Sequence, residues 1–300
     1  AQPTAGMDWS EAGIEANRRH LGNLWNSARS ILEWGDAESE VDAWMEARFR
    51  SQVAAWIEAM DSAELRHAVS ISHYDIYSDL VWYQRRGGSN RALGIRLLLD
   101  WSKLLHPATP HFAEELWAGL DGDGLLAAKP LDLDPEEAGG DAGLLAREAF
   151  IKSVIDQARQ MLELAERHLE GPATSVTFQC AEPWKGELCR IGMELQEEGY
   201  DMKQALKVIM TRPFAHDAEV RKQVPAAWKR VLKQLYRWSP GEKAVLRAAL
   251  DEAEVIAGAA DFIREELGVN RLQVHIAGEG EDVGGKARFA FPSEPGIAYL

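Results

Sequence analysis

Eight cations crowd one stretch of this 300-residue chain. Arg221, Lys222, Lys229, Arg230, Lys233, Arg237, Lys243 and Arg247 stand against a single acid, Glu242. On a helix at about 100° per residue, Val220, Val224, Trp228, Val231, Leu232 and Leu235 fall within an arc of about 120°, and the cations fill roughly the opposite half. Such a segment packs on one face and offers charge on the other. The chemistry this allows is attraction of a polyanion, and Lys229, Arg230, Lys233 and Arg237 are its candidate contacts. A solvated surface is the plain alternative for any run of charge. Pro225 either kinks this helix or begins it.

The other chemistry-bearing residues assemble no reaction centre. His67, His73, His106 and His111 share no metal-ligand spacing with cysteine or with each other, so no metal site is expected. Asp121-x-Asp123-Gly124 lacks the remaining ligands and closing Glu of a calcium loop. Cys180 and Cys189 are too few for a disulfide scaffold and form no Cys-x-x-Cys pair. The glycines of 278–285 come with Glu279, Glu281 and Asp282, which repel phosphate, so a hairpin loop is expected there. Trp25, Trp56, Trp82, Trp101 and Trp117 sit at helical core spacing and are expected to pack.

The net charge of −15 argues at first against nucleic acid. Binding, however, follows local distribution, and an acidic protein can hold RNA along a basic stripe. No run of about 18 apolar residues is present, so no membrane span is expected. No basic and apolar leader opens the chain, and a cytoplasmic location is expected. The opening Ala1-Gln2-Pro3-Thr4 reads as a segment of something longer, or as a chain that has lost its initiator Met.

These residues need elements to position them. Ser10 is a candidate N-cap, with Glu11 in the first turn of a helix to about Glu33. Further helices are predicted at 41–60, 63–86 (stopped by Gly87-Gly88) and 91–105, with a fifth from Thr109. Pro107 ends the fourth helix, while Thr109 caps the fifth and Pro110 enters its first turn. Short loops between long helices predict an antiparallel bundle over residues 1–120. Gly, Asp and Pro between 121 and 143 predict a linker. Residues 144–300 then read as a smaller α+β domain. Its helices are expected at 144–169, 184–199, 201–211, 217–237 and 242–267. Its strands are expected at 174–180, 271–276 and 286–291.

The element from Leu104 to Trp117, with His106-Pro107 before the turn and Glu114-Glu115-Leu116-Trp117 after it, resembles the anticodon-binding helical domain of class I aminoacyl-tRNA synthetases for Leu, Ile, Val and Met. Arg18-Arg19-His20-Leu21-Gly22-Asn23-Leu24-Trp25-Asn26 and Asp79-Leu80-Val81-Trp82-Tyr83-Gln84-Arg85-Arg86 extend the likeness. Glu182-Pro183-Trp184-Lys185, Met202-Lys203-Gln204-Ala205-Leu206-Lys207, Gly284 to Pro292 and Pro295 to Leu300 are similar to the C-terminal domain of archaeal leucyl-tRNA synthetase. The resemblance covers essentially the whole chain.

This resemblance implies a mainly α fold and the tRNA-holding portion of a leucine–tRNA ligase. The implied partner is a leucine tRNA with a long variable arm, held by a monomer without membrane contact. Neither the His-x-Gly-His nor the Lys-Met-Ser-Lys-Ser signature is present. No catalytic residue is therefore expected here. No cofactor is expected in this fragment either, ATP and magnesium belonging to the full-length enzyme, whose catalytic domain normally shares the chain. Besides the basic stripe, Arg18, Arg19, Arg85 and Arg86 are candidate tRNA contacts, with ordinary surface charge as their alternative. The resemblance also implies that Ile297, Tyr299 and Leu300 read the tip of the variable arm, Tyr299 by stacking on a base. Two alternatives stand: a non-catalytic tRNA-binding or scaffold protein of the same descent, and the matching region of a valyl or isoleucyl enzyme.

Overall fold

A computed structural model describes residues 10–133, 141–167 and 171–300. The fold is mainly α, and the chain divides into two compact units, residues 1–145 and 146–300. The irregular start at 1–9, the last residues of the helix expected to reach 169, and 134–140 of the expected linker lie outside the described residues.

The first unit is a helical bundle: α1 (Glu11–Ile31), α2 (Asp42–Asp61), α3 (Leu65–Ser70), α4 (Ile76–Arg85), α5 (Arg91–Leu105) and α6 (Pro110–Gly119). Ser10 caps α1, its hydroxyl accepting from the Gly13 amide at 3.3 Å. Asn90 caps α5 by accepting from the Leu93 amide at 3.1 Å. Trp44, Trp56, Trp82, Trp101 and Trp117 are buried, so four of the five tryptophans expected at core spacing pack, and Trp25 lies half-buried with its edge on Phe112.

The helix expected over 63–86 is interrupted. Between α3 and α4, residues Ile71–Asp75 form one wide π-turn. A wide turn weakens the regular ladder of carbonyl bonds, and side chains supply bonds there. The Trp101 indole donates to the Ser72 carbonyl at 2.6 Å, and His20 Nε2 bonds the His73 carbonyl at 2.6 Å. Thr109 stands at the start of α6 but makes no side-chain cap. Its hydroxyl donates back to the Leu105 carbonyl at 3.2 Å and shares a bond with His73 Nε2 at 3.1 Å.

Two carboxylates lock the bundle. Buried Asp79 accepts from Arg48 at 2.8 Å and from Gln52 at 3.0 Å, tying α4 to α2. Asp42 accepts from the Tyr83 hydroxyl at 2.6 Å, from the Asn90 amide at 2.7 Å and from Ser39. Burial by itself raises the Asp42 pKa, but these donors outweigh it and hold the carboxyl below its ordinary range. Gly88 follows α4 because a Cβ there would meet the Tyr83 ring at 2.2 Å. Residues 121–133 belong to this unit. Leu126 is buried, and Glu114 accepts from the Leu126 and Ala127 amides at 2.9 and 2.8 Å.

The second unit starts within α7 (Ala142–Ala165) and adds β1 (Ser175–Cys180), α8 (Pro183–Glu197), α9 (Met202–Ile209), α10 (Ala218–Leu235), α11 (Pro240–Arg247), α12 (Glu252–Gly258), α13 (Ala260–Leu267), β2 (Arg271–Ile276) and β3 (Gly296–Tyr299). The sheet order is β2-β1-β3. β2 runs parallel to β1, with Ser175 opposite Arg271, and β3 runs antiparallel to it, with Val176 opposite Tyr299. Phe150, Ile151, Val154 and Ile155 of α7 and Val176 and Phe178 of β1 are all buried. A second cluster gathers Trp184, Leu188, Val224, Trp228, Val231 and Leu235 from α8 and α10.

Two expectations fail in this unit. The helix expected over 242–267 is three helices. Ala249 takes a left-handed φ of 53°, and Asp251 restarts the chain as an N-cap that accepts from the Glu254 amide at 3.0 Å. The strand expected over 286–291 is a pair of tight turns, so 278–285 is no hairpin loop between strands. Gly284 and Gly285 have positive φ, and Asp282 accepts from the Ala287 amide at 2.8 Å, curling the segment. The remaining edge of β1 is taken by β3 instead.

Candidate nucleic-acid interface

On α10 the apolar arc faces inward as the sequence predicts, with Val224, Trp228, Val231 and Leu235 buried. Asp217 caps the helix, accepting from the Glu219 and Val220 amides at 2.8 and 3.0 Å. Pro225 lies inside the helix rather than at its start. Lys229, Lys233 and Arg237 are exposed, and no acidic side chain among the described residues pairs with them. Lys229 and Lys233 stand about one turn apart on α10, about 6 Å along the axis, and Arg237 follows just past the helix end. Tyr236, beside them, is 82 % exposed.

Arg221, Lys222, Arg230 and Arg247 are engaged, Arg221 by donating to the Ala215 carbonyl at 3.3 Å. Lys222 pairs with Glu219 at 2.7 Å and Arg247 pairs with Glu197. Arg230 is spent inside its own unit. It donates to Glu294 at 2.8 Å and to the Phe289 carbonyl at 3.3 Å, and its guanidinium lies 4.0 Å from the Phe291 ring centre. It is a tether between α10 and the segment before β3, which takes it out of the stripe.

At the chain end, Ile297 and Tyr299 are buried in β3. The Tyr299 hydroxyl donates to the Ala158 carbonyl of α7 at 2.8 Å, and burial pushes its pKa up. Its ring is core, so it has no free face for a base to stack on. Leu300 is 63 % exposed at its side chain, while its carbonyl accepts from the Thr174 and Ser175 amides at 2.8 and 3.0 Å. Among the three residues expected there, only Leu300 presents a side chain to solvent.

In the first unit Arg18 and Arg19 are exposed on α1, and Arg18 lies 3.7 Å from Glu15. Near them His20 stacks on Tyr74 with ring centres 4.3 Å apart. Arg85 lies over the Trp82 ring at 5.2 Å, and Arg86 is half-buried. Arg96 donates to Glu46 at 2.8 Å, so it serves α2.

Sequence reasoning missed one exposed cluster, around Phe289, because it read 286–291 as a strand. Phe289 is 51 % exposed, with the Arg288 guanidinium 4.6 Å and the Lys286 ammonium 5.9 Å from its ring centre. The signal available was Gly284-Gly285 next to Asp282.

Neither cysteine is primed as a nucleophile. Burial pushes both thiols, Cys180 and Cys189, up to about 12. The only glycine-rich loop between β2 and β3 carries Glu279, Glu281 and Asp282, which do not fit a nucleotide phosphate. No helix among the described residues is long and apolar enough to cross a membrane.

Residues 42–170, from the start of α2 past the end of α7, match the family described as the anticodon-binding domain of tRNA ligase. Over that stretch the chain is similar to the anticodon-binding domain of tRNA ligases. Its relatives include the leucine–tRNA ligase of Methanosarcina acetivorans, 27 % identical over 99 % of this chain and 31 % of the relative. That of Pyrococcus furiosus is 29 % identical over 99 % and 29 %, and that of Methanocaldococcus jannaschii 28 % identical over 96 % and 28 %. The chain thus spans about three tenths of the length of these ligases, and is similar to them along nearly all of its own.

Proposed function

We propose that this chain is the tRNA-holding part of a leucine–tRNA ligase, working in the cytoplasm on a leucine tRNA with a long variable arm. One observation carries the reading: Lys229, Lys233 and Arg237 form an exposed, unpaired cationic stripe in a chain of net charge −15. Neighbouring unpaired surface cations are suited to phosphates, and acidic surfaces elsewhere turn the RNA away from wrong orientations. Arg18, Arg19, Arg85 and Arg86 are proposed as contacts offered by the bundle, and Leu300 as the exposed end of the β3 segment. Ile297 and Tyr299 support Leu300 by holding β3 in the core.

The mechanism is positioning. Holding the tRNA body fixes its acceptor end at a catalytic centre supplied by the rest of the ligase, where ATP and magnesium would act. Rate then comes from orientation, not from groups on this chain.

The test is a titration of the chain with a fluorescein-labelled leucine tRNA transcript at several salt concentrations. Affinity should fall with a log–log slope of roughly −0.7 to −0.9 per neutralised phosphate. Replacing Lys229, Lys233 and Arg237 together with Glu should weaken binding at least about tenfold and flatten that slope by two to three phosphates' worth. Unchanged affinity and slope in a variant with intact helical circular dichroism would assign the stripe to solvent.

A further inference from the structure

Phe289 is a half-exposed ring on a braced turn, with the flexible side chains of Lys286 and Arg288 over it. Its neighbours Ala290 and Phe291 are each 2 % exposed, so the chain is anchored immediately after it. The turn is closed by the Phe289 amide donating to the Lys286 carbonyl at 3.0 Å and the Ala290 amide donating to the Ala287 carbonyl at 3.1 Å. Asp282 holds the Ala287 amide, and Arg230 holds the Phe289 carbonyl from α10. From the other side β3 presses against it: a Cβ at Gly296 would stand 2.3 Å from the Lys286 carbonyl oxygen. A ring fixed this way cannot collapse inward without breaking the turn.

The charges around it select a partner. Lys286 and Arg288 lie over the ring, while Glu294 pairs with Arg230 and Asp282 accepts from the Ala287 amide. An aromatic face beside two cations suits an unpaired nucleotide, whose base stacks while its phosphate meets the charge. An apolar protein surface would instead pay to desolvate both cations. We infer that Phe289, with Lys286 and Arg288, is a stacking platform for an unpaired nucleotide of the bound RNA. This rests on the RNA-holding reading above and adds to it a residue that grips a base rather than a phosphate.

The same labelled leucine tRNA transcript tests it. Phe289→Ala should weaken binding about tenfold, within the range for loss of one base–aromatic stack. Phe289→Tyr should stay within about twofold of the parent, and Phe289→Leu, which keeps apolar area without a ring, should behave as the alanine variant. The salt slope should not change in Phe289→Ala, because no phosphate contact is lost. Annealing DNA oligonucleotides across the unpaired loops of the transcript should erase the difference between parent and Phe289→Ala. Equal affinity of parent and Phe289→Ala, alongside weakened binding by the Lys229/Lys233/Arg237 variant, would overturn the platform and leave the holding role standing. The ring would then be a contact for protein. Equal losses in the Tyr and Ala variants, or a flattened slope in Phe289→Ala, would also overturn it. Absence of binding by the parent chain even in dilute buffer would remove the holding role itself.

Discussion

Glu252 opens α12 with one carboxylate oxygen accepting from the Ser293 amide at 2.6 Å and the other buried with no partner. Burial raises its pKa to about 7, against an ordinary value of 4.5, despite the Ser293 bond pulling the other way. The folded state therefore favours the protonated acid. Its stabilising effect is full below about pH 4.5 and is lost as pH rises through about 7. Thermal melts at pH 5 and pH 8 should show Glu252→Gln gaining on the parent chain as pH rises, by up to about 3 kcal/mol. A constant difference across that range would mean the carboxyl is not buried as described. Arg230 shows what sequence cannot disclose at this scale. Its partner Glu294 lies far along the chain, and a count of cations does not say which one a distant turn will claim. Tyr299 is similar: an aromatic near a chain end reads as available, and only pairing with β1 reveals it as core.

Elements with local causes were legible. Capping by Ser10, the glycine stop after α4 and the apolar arc of α10 act over one or two turns, and the structure keeps them. The π-turn at Ile71–Asp75 was not legible, because Trp101 and His20, which bond its carbonyls, come from other helices. The strand at 286–291 was misread for a related reason. Its alternating pattern competes with Gly296–Tyr299 for one edge of β1, and the glycines with Asp282 decide against it. Pro225 gives a test at this scale. Inside α10 it cannot donate to the Arg221 carbonyl, and its ring crowds that turn. Pro225→Ala should raise the stability of the chain by about 2 kcal/mol in urea unfolding, after allowing for the looser unfolded chain. A loss of stability would show that the proline's bend is needed for packing against α8.

At the scale of the whole molecule, the two units differ in how their contacts are spread along the chain. The bundle pairs neighbours more often: α2 packs on α3 and α4, and α5 on α6, while α5 also reaches back to α1 and α2. In the second unit β1 waits at the centre of its sheet for partners roughly a hundred residues further on, Arg271–Ile276 and Gly296–Tyr299. Closing so large a loop delays sheet formation. Pulse-labelled hydrogen exchange during refolding should protect α5 amides before those of β1, and the reverse order would contradict this reading. Until those partners arrive, Val176, Thr177 and Phe178 belong to a segment whose two strand edges are open, a template for illicit pairing. Substitutions that slow arrival of the last strand, such as at Gly296, should therefore surface as inclusion bodies before they surface as weaker RNA binding.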